Sequence, residues 1–133
     1  MPESHNDRLA SLIIPCWNQL AFTQRCLQSA FRHTRLAFEL IVVDNGSTDG
    51  TGTYLAGVAD AARVPVTVIA NTTNQGFPAA INQGLRAARG GYLVLLNNDV
   101  VVTDGWLDQL VGLAEMRTTE GDGWPAPQNL VQS

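Results

Sequence analysis

The sequence predicts an α/β domain in which helices flank an open, mostly parallel β-sheet. Four short apolar runs begin at residues 12, 40, 66 and 92, a spacing close to the roughly 30 residues of a strand–helix–strand unit. The runs are continuous rather than alternating, which is typical of strands buried on both faces. The intervening segments carry helical patterns, so strands and helices alternate as in an open α/β fold.

The predicted strands are the four apolar runs themselves. Each is short, rich in Leu, Ile and Val, and followed at once by polar residues. The length of 133 residues suffices for one domain with a hydrophobic core. The strands are predicted at residues 12–14, 40–43, 66–69 and 92–96.

Helical periodicity and capping residues predict the four helices. In the first, Leu20, Cys26, Leu27, Ala30 and Phe31 fall on one face. Residues 47–49, Ser-Thr-Asp, supply an N-cap and an acidic first turn for the second, which runs to about residue 62. Two glycines at 90–91 close the third. The other predicted helices span residues 20–31, 77–88 and 106–116.

The predicted organisation is a single domain over residues 11–117, with a flexible leader at 1–10 and a loop tail at 118–133. The first residues are polar and lack the apolar region of a signal peptide. No apolar stretch approaches the roughly 20 residues of a membrane span. We therefore expect a cytoplasmic protein. The sequence leaves open whether other segments associate with the inner membrane face. The net charge of −4 argues against nucleic acid as a partner.

Polar residues collect where each predicted strand ends. They would meet at one edge, because the strands of a parallel sheet all end there, and open α/β folds bind ligands outside that edge. Polar turn residues alone explain each segment, but not an aromatic Trp17 within a turn or an acid, Asp99, after a buried strand. The segments are residues 15–18, 44–47, 71–76 and 97–99.

The sequence also restricts the phosphate chemistry of such a site. It contains no G-x-x-x-x-G-K-[ST] and no G-x-G-x-x-G after the first strand, which excludes a P-loop and argues against a Rossmann dinucleotide site. A divalent cation held by Asp99, Mg²⁺ or Mn²⁺, would supply the charge that a glycine cradle does not.

Four segments in order resemble the motifs of family 2 glycosyltransferases. Residues 11–18, SLIIPCWN, resemble S-[VI]-I-I-P-x-Y-N, and residues 41–51, IVVDNGSTDGT, resemble V-V-D-[DN]-G-S-x-D-x-[ST]. Residues 74–84, NQGFPAAINQG, resemble N-x-G-x-[AG]-x-A-x-N-x-G, and LLNND at 95–99 stands where the D-x-D-type metal motif falls. The resemblance runs from about residue 11 to 116 and implies the GT-A fold.

The resemblance implies a role for each motif in binding a nucleotide-diphosphate sugar. Trp17 would stack on the nucleobase, Asp44 and Asn45 would bind base and ribose, and Gly76 would let backbone approach the diphosphate. Asp99 would coordinate the divalent cation. The implied donor-binding residues are Pro15, Trp17, Asn18, Asp44, Asn45, Ser47, Asn74, Gly76, Phe77, Asn82, Asn97 and Asn98.

The implied reaction is a single displacement with inversion at the anomeric carbon, onto a hydroxyl of a glycan or lipid-linked acceptor. In the family the base that deprotonates this hydroxyl lies further along the chain. We assign no base here, because Asp104 and Asp108 fit the start of the last helix better. The chain is therefore expected to be a truncated form of a longer enzyme, namely its N-terminal, donor-binding part.

Two other functions remain open at this stage. The chain could be a nucleotide-sugar-binding module without catalysis of its own, or an unrelated doubly wound domain that binds another ligand. A homodimer through an uncovered sheet edge is also left open. Cys16 and Cys26 are expected to be reduced core residues rather than a disulfide.

Overall fold

A computed structural model describes residues 6–120 and 129–132 and confirms the predicted alternation of strands and helices. The four predicted strands and four predicted helices are all present, with helix ends that differ from the prediction by a few residues. The elements are β1 (Asn6–Cys16), α1 (Leu20–His33), β2 (Phe38–Asp44), α2 (Thr51–Ala61), β3 (Val66–Ala70), α3 (Phe77–Ala87), β4 (Gly90–Leu96), α4 (Trp106–Glu120) and β5 (Asn129–Gln132).

The described strands form one parallel sheet in the order β3-β2-β1-β4-β5. β1 lies at the centre, where Leu12 pairs with Leu40 of β2 on one side and Val94 of β4 on the other. The chain moves from β1 to β2 to β3 in one direction and then returns to place β4 on the other side of β1. The order thus reverses between β1 and β4, and such a switch point leaves a crevice at the carboxyl ends of the two strands.

The central strands are buried because both faces of the sheet are covered. On one face, Leu12 and Leu40 belong to a core cluster that also contains Leu27 of α1 and Leu55 of α2. On the other face, α3 approaches β1 closely at Gly84. This double cover explains why the strands read as continuous apolar runs instead of alternating ones.

The expected leader and tail are wrong in part. The leader was expected to extend through residue 10, but β1 begins at Asn6, which pairs with Gly90, and Ala10 pairs with both Phe38 and Tyr92. The tail was expected to be loop from 118, but α4 continues to Glu120 and Asn129–Gln132 pairs with β4 as β5. Backbone pairing with an existing strand edge overrides the polar composition of both segments. Residues 1–5, 121–128 and 133 of these predictions lie outside the described residues.

The predicted cap of the second helix is also wrong in its position. α2 begins at Thr51 rather than directly after residues 47–49, has Gly50 as its N-cap residue and has no acid in its first turn. Gly50 occupies the left-handed region at φ 95°, which turns the chain into the helix. Within the described ranges, no helix combines the length and apolar character needed to cross a membrane.

Candidate functional site

A cleft of about 230 Å³ opens at the carboxyl edge of the sheet, at the switch point between β1 and β4. The ends of β1 and β4 contribute to it from either side, and the β3–α3 connection reaches over it. The residues lining the cleft are Pro15, Cys16, Trp17, Asn45, Asn74, Phe77, Asn97 and Asn98. All of them except Cys16 are among the residues expected from the sequence to form a binding site.

Two aromatic side chains of the cleft are exposed to solvent. Trp17 is 53% exposed and Phe77 is 59% exposed, and both line the same concave surface. Trp17 follows β1 directly, whereas Phe77 is the first residue of α3. Exposed aromatic rings in a cleft offer faces for stacking on a planar ligand such as a nucleobase.

The polar lining of the cleft is neutral. Among the described residues that line it, none carries a charged side chain; besides the Cys16 thiol and the indole N–H of Trp17, the polar side-chain groups are the amides of Asn45, Asn74, Asn97 and Asn98. Amides recognise a ligand through directional donors and acceptors rather than through charge. The orientation of each amide therefore decides which groups the cleft presents.

Asn45 is held by the protein on every side of its amide group. Its Nδ2 donates to Asn74 Oδ1 at 3.0 Å and to the Gly76 carbonyl at 3.2 Å. Its Oδ1 accepts from Asn71 Nδ2 at 3.1 Å and from the Gln75 backbone amide at 2.9 Å. With its side chain 5% exposed and these four bonds formed, Asn45 has used the hydrogen-bonding capacity expected to bind base and ribose.

The four hydrogen bonds of the Asn45 amide form what we call the Asn45 clamp. Neighbouring residues extend this clamp over the β3–α3 connection. Asn71 and Gln83 exchange a pair of amide hydrogen bonds, each 2.8 Å long. Gly46 lies so close to the connection that an added Cβ would be 2.8 Å from the carbonyl carbon of Thr73. Neither Asn71 nor Gln83 could be identified as a partner from the sequence, because these contacts join residues that are distant in the chain.

A second set of hydrogen bonds joins the β1–α1 turn to the β2–α2 turn. The Asn18 backbone amide donates to Ser47 Oγ at 2.7 Å, and the Thr48 amide donates to Asn18 Oδ1 at 2.8 Å. The Leu20 amide at the start of α1 donates to Asp49 Oδ2 at 3.0 Å. The structure therefore places Asn18 and Ser47 between the two turns rather than in the cleft lining.

Asp49 caps backbone amides at the starts of two helices. Besides Leu20 of α1, its carboxylate accepts from the backbone amide and the hydroxyl of Thr51 at the start of α2. These hydrogen bonds hold the pKa of Asp49 below its ordinary value, the Thr51 hydroxyl contributing most. Asp49 thus binds the first residue of both helices, although Gly50 rather than Asp49 is the N-cap residue of α2.

Asp44 lies beneath the cleft rather than in it. It is 6% exposed, and its Oδ1 accepts from the Ser47 backbone amide at 3.0 Å. Its Oδ2 faces α2, since an added Cβ on Gly52 would be 3.5 Å from it. Asp44 is not among the residues that line the cleft, and its contact with base and ribose stays a prediction.

Cys16 forms part of the cleft wall, and Cys26 of α1 donates to the Asn97 carbonyl at 3.6 Å. Both are buried free thiols, as predicted. Burial and the nearby Asp44 carboxylate raise the pKa of Cys16 from 9.0 to about 12. Burial and the Asp99 carboxylate raise the pKa of Cys26 to about 12. Both thiols are therefore protonated, weak nucleophiles at neutral pH.

The end of β4 carries the proposed metal ligand. Asn98 Nδ2 donates to Thr23 Oγ1 at 3.1 Å, which anchors this turn to α1. Asp99 is exposed, and its carboxylate has no hydrogen-bond or ion-pair partner in the part of the chain that the structure describes. Across the same residues, no group of three or more His, Cys, Asp or Glu side chains is placed to hold a metal.

Three other residues considered in the sequence analysis lie away from the cleft. Asn82 is exposed on α3 and is absent from the cleft lining. Asp104 Oδ1 accepts from His33 Nδ1 at 2.6 Å, and Asp108 lies in the first turn of α4. Neither acid is among the residues that line the cleft. Gly76, by contrast, binds two residues that line the cleft. Its carbonyl accepts from Asn45 Nδ2, and its backbone amide donates to Asn74 Oδ1.

Comparison with known proteins shows the family. The chain matches the model of glycosyl transferase family 2 over residues 11–121 and belongs to that family. It is 32% identical over 108 residues to the uncharacterized glycosyltransferase EpsJ of Bacillus subtilis, covering 80% of this chain and 30% of that protein. A match to an uncharacterized Haemophilus influenzae glycosyltransferase, 35% identical over 91 residues, covers 68% of this chain and 29% of the relative. The chain thus spans less than a third of either of these two relatives.

Solved structures share the fold. The mannosyltransferase PcManGT from Pyrobaculum calidifontis, solved with GDP-Man and Mn²⁺, superposes with a TM-score of 0.72 at 25% identity and covers 84% of this chain and 33% of its own. S. aureus TarS 1–349, solved with UDP-GlcNAc, superposes with a TM-score of 0.72 at 23% identity and covers 82% of this chain and 32% of its own. The domain has the GT-A fold of these glycosyltransferases, which confirms the predicted fold class.

Proposed function

We propose that the chain is the donor-binding part of an inverting glycosyltransferase and that the cleft between β1 and β4 holds the nucleotide of a nucleotide-diphosphate sugar. The observation that carries this proposal is the pair of exposed aromatic rings, Trp17 and Phe77, in a neutral amide-lined cleft at the switch point of the sheet. A planar base fits between or against such rings, and the amides supply hydrogen bonds to it.

The residues at the end of β4 fit a divalent cation that is shared with the substrate. Mg²⁺ and Mn²⁺ are often held by one or two carboxylates together with substrate phosphates, and the unpartnered, exposed Asp99 offers one such carboxylate. Asn97 brings no charge, so cation affinity would depend on Asp99 and on the bound diphosphate. When bound, the cation would stabilise the negative charge of the departing nucleoside diphosphate.

The chain's own contribution to the reaction is to bind and orient the donor. The Asn45 clamp and the turn contacts of Asn18 fix the connections that form the cleft, so its walls are organised before the ligand arrives. Holding the donor in one orientation lowers the entropic cost of attack by an acceptor hydroxyl. The binding site for the acceptor, a glycan or a lipid-linked sugar, and the base that deprotonates the acceptor hydroxyl would be supplied by the rest of a longer protein.

A binding module without catalysis of its own is a second candidate. It is favoured by the cleft lining, which contains no carboxylate or imidazole among the described residues that could deprotonate an acceptor. The two functions differ in turnover. We expect this chain to bind the donor and to transfer or hydrolyse its sugar very slowly or not at all, measured as release of nucleoside diphosphate; normal turnover would contradict the need for further residues.

Calorimetric titration with UDP, GDP and dTDP, with and without Mn²⁺, tests the proposed site. We expect at least one of them to bind, and Mn²⁺ to strengthen binding in the unaltered chain but not in Asp99→Asn. Asp60→Asn is the matched control, because Asp60 is an exposed acid on α2. Binding of none of the three would overturn the donor site, and an unchanged effect of Mn²⁺ in Asp99→Asn would overturn the metal assignment.

A further inference from the structure

We propose that Asn45 acts as a positioning residue that fixes the orientation of Asn74, so that the cleft presents an amide N–H donor to the nucleotide. The inference rests on the proposed function, because it assigns a specificity role within that same site. It reassigns Asn45 from a direct ligand contact to a residue acting through its neighbour.

The orientation of the Asn45 amide is set by two backbone groups whose roles are unambiguous. The Gln75 backbone N–H can only donate, so the atom facing it at 2.9 Å must be Asn45 Oδ1. The Gly76 carbonyl can only accept, so the atom facing it at 3.2 Å must be Asn45 Nδ2. The two constraints agree, and they leave the second Nδ2 proton directed to Asn74.

The orientation of the Asn74 amide follows from the same reasoning. Its Oδ1 accepts from Asn45 Nδ2 at 3.0 Å and from the Gly76 backbone amide at 2.8 Å. Both partners are donors, so the oxygen must face them and the Nδ2 must face away. Asn74 is exposed and lines the cleft, and its Nδ2 has no acceptor within residues 6–120 and 129–132.

An unpartnered N–H donor in the cleft complements an acceptor oxygen of the nucleotide, either a carbonyl of the base or an oxygen of the diphosphate. An aspartate at position 45 would weaken this arrangement. A carboxylate cannot donate to Asn74 Oδ1 or to the Gly76 carbonyl, so Asn74 Oδ1 would face a carboxylate oxygen and keep only the Gly76 backbone amide as a donor. Residue 45 thus decides whether the orientation that presents Asn74 Nδ2 to the cleft is held by two donors or by one.

The first experiment measures the affinity of Asn45→Asp, as a function of pH, for whichever of UDP, GDP and dTDP the unaltered chain binds; the outcomes are written here for UDP, with the matching nucleoside in place of uridine for another base. We expect a loss of about tenfold near neutral pH, the size of one misdirected hydrogen bond. Affinity should return as the pH is lowered from about 8 to about 5, because burial beside carbonyl oxygens favours the protonated acid, which regains one donor. The unaltered chain supplies the reference affinity at each pH, so the titration of UDP itself cancels in the ratio.

Gln28→Glu is the matched control for the added negative charge, because Gln28 is exposed on α1 and absent from the cleft lining. It should bind UDP as the unaltered chain does at every pH. A purely structural defect in Asn45→Asp would lower its melting temperature without a pH-dependent return of affinity, so circular dichroism melts accompany each titration.

Asn74→Asp tests the donor without disturbing the clamp, since its carboxylate can still accept from Asn45 and the Gly76 amide. It should weaken UDP binding several-fold, and comparison with uridine separates the two ligand oxygens. Loss for uridine as well as UDP places the contact on the base, and loss for UDP alone places it on the diphosphate.

In an Asn74→Ala background, Asn45→Asp should cost much less affinity than in the unaltered chain.

The inference is overturned if Asn45→Asp or Asn74→Asp binds UDP as the unaltered chain does. It is equally overturned if Asn45→Asp loses the same affinity with Asn74 absent, or if its loss is independent of pH. These outcomes differ from failure of the proposed function, in which the unaltered chain itself binds no nucleoside diphosphate.

Discussion

Gly84 of α3 lies directly against Ile13 of β1, so that a Cβ added to Gly84 would be 2.4 Å from Ile13 Cγ2. Ile13 is fully buried and pairs with Ile41 and Leu95 on either side. The absence of a side chain at position 84 therefore sets how closely α3 packs on the sheet. Because Phe77 begins the same helix, this contact also positions one wall of the cleft.

Gly84→Ala should destabilise the fold by about 1–3 kcal/mol, because overpacking a buried contact outweighs the gain in helix propensity. Urea unfolding followed by circular dichroism measures the change. Gly57→Ala is the matched control on α2, where an added Cβ would meet nothing within 4 Å, and it should stabilise by up to about 1 kcal/mol. Equal effects of the two substitutions would contradict the close contact.

Trp17→Ala and Phe77→Ala should each weaken nucleoside diphosphate binding by roughly tenfold or more, the cost of removing one base–aromatic contact. Trp17→Tyr should retain most of the affinity, since it keeps an aromatic face. Phe22→Ala is the control, because Phe22 is 44% exposed on α1 but does not line the cleft. Calorimetry should show that Phe22→Ala binds the nucleoside diphosphate with unchanged affinity. A comparable loss of affinity in Phe22→Ala would contradict a specific role for the aromatic rings of the cleft.

The two buried thiols should resist alkylation in the folded protein and react on unfolding. The pKa values of Cys16 and Cys26 are raised from 9.0 to about 12, so the folded state favours the protonated thiols. Their contribution to stability is complete below about pH 9 and is lost as the pH rises towards 12. Iodoacetamide labelling read by mass spectrometry, with and without urea, measures this; rapid labelling of the native chain at pH 8 would contradict it.

His33→Ala should raise the pKa of Asp104. The His33 hydrogen bond is the largest cause that holds this pKa below its ordinary value of 3.8, with charge from His33, Arg35 and Arg32 adding to it. The stabilisation is present above about pH 3.8 and is lost as the pH falls through the lowered pKa. Carbon-detected NMR titration of the Asp104 carboxyl reports it directly, and an unchanged pKa in His33→Ala would show that the pair does not form.

The fold could be predicted from the sequence where a strand or helix has a distinctive residue pattern of its own. The continuous apolar runs and their spacing predicted four strands, and the polar residues after them predicted one shared edge. β5 could not be predicted, since Asn129–Gln132 is short and depends on pairing with β4. The start of β1 at Asn6 likewise depends on its pairing with Gly90 rather than on its polar composition.

The cleft was predictable in its membership but not in the role of each residue. Trp17, Asn74 and Asn97 could be named because they follow strand ends, and Phe77 because it lies in a segment that resembles a family motif. The roles of Asn45 and Asn18 depend on partners about 30 residues away, Gln75 and Ser47. A turn residue that binds ligand and one that binds another turn have the same local sequence pattern, because Asn and Asp suit both.

The most direct test of the central claim is a map of backbone amide chemical shifts in the isotopically labelled chain during titration with UDP, GDP and dTDP in the presence of Mg²⁺. We predict that at least one of these ligands shifts the amides of Cys16, Trp17, Asn45, Asn74, Phe77 and Asn97 together. Amides along the groove formed by Phe31, Tyr54 and Val64 at the other end of the sheet should not move. No shift with any ligand, or shifts confined to that groove, would contradict a nucleotide site between β1 and β4.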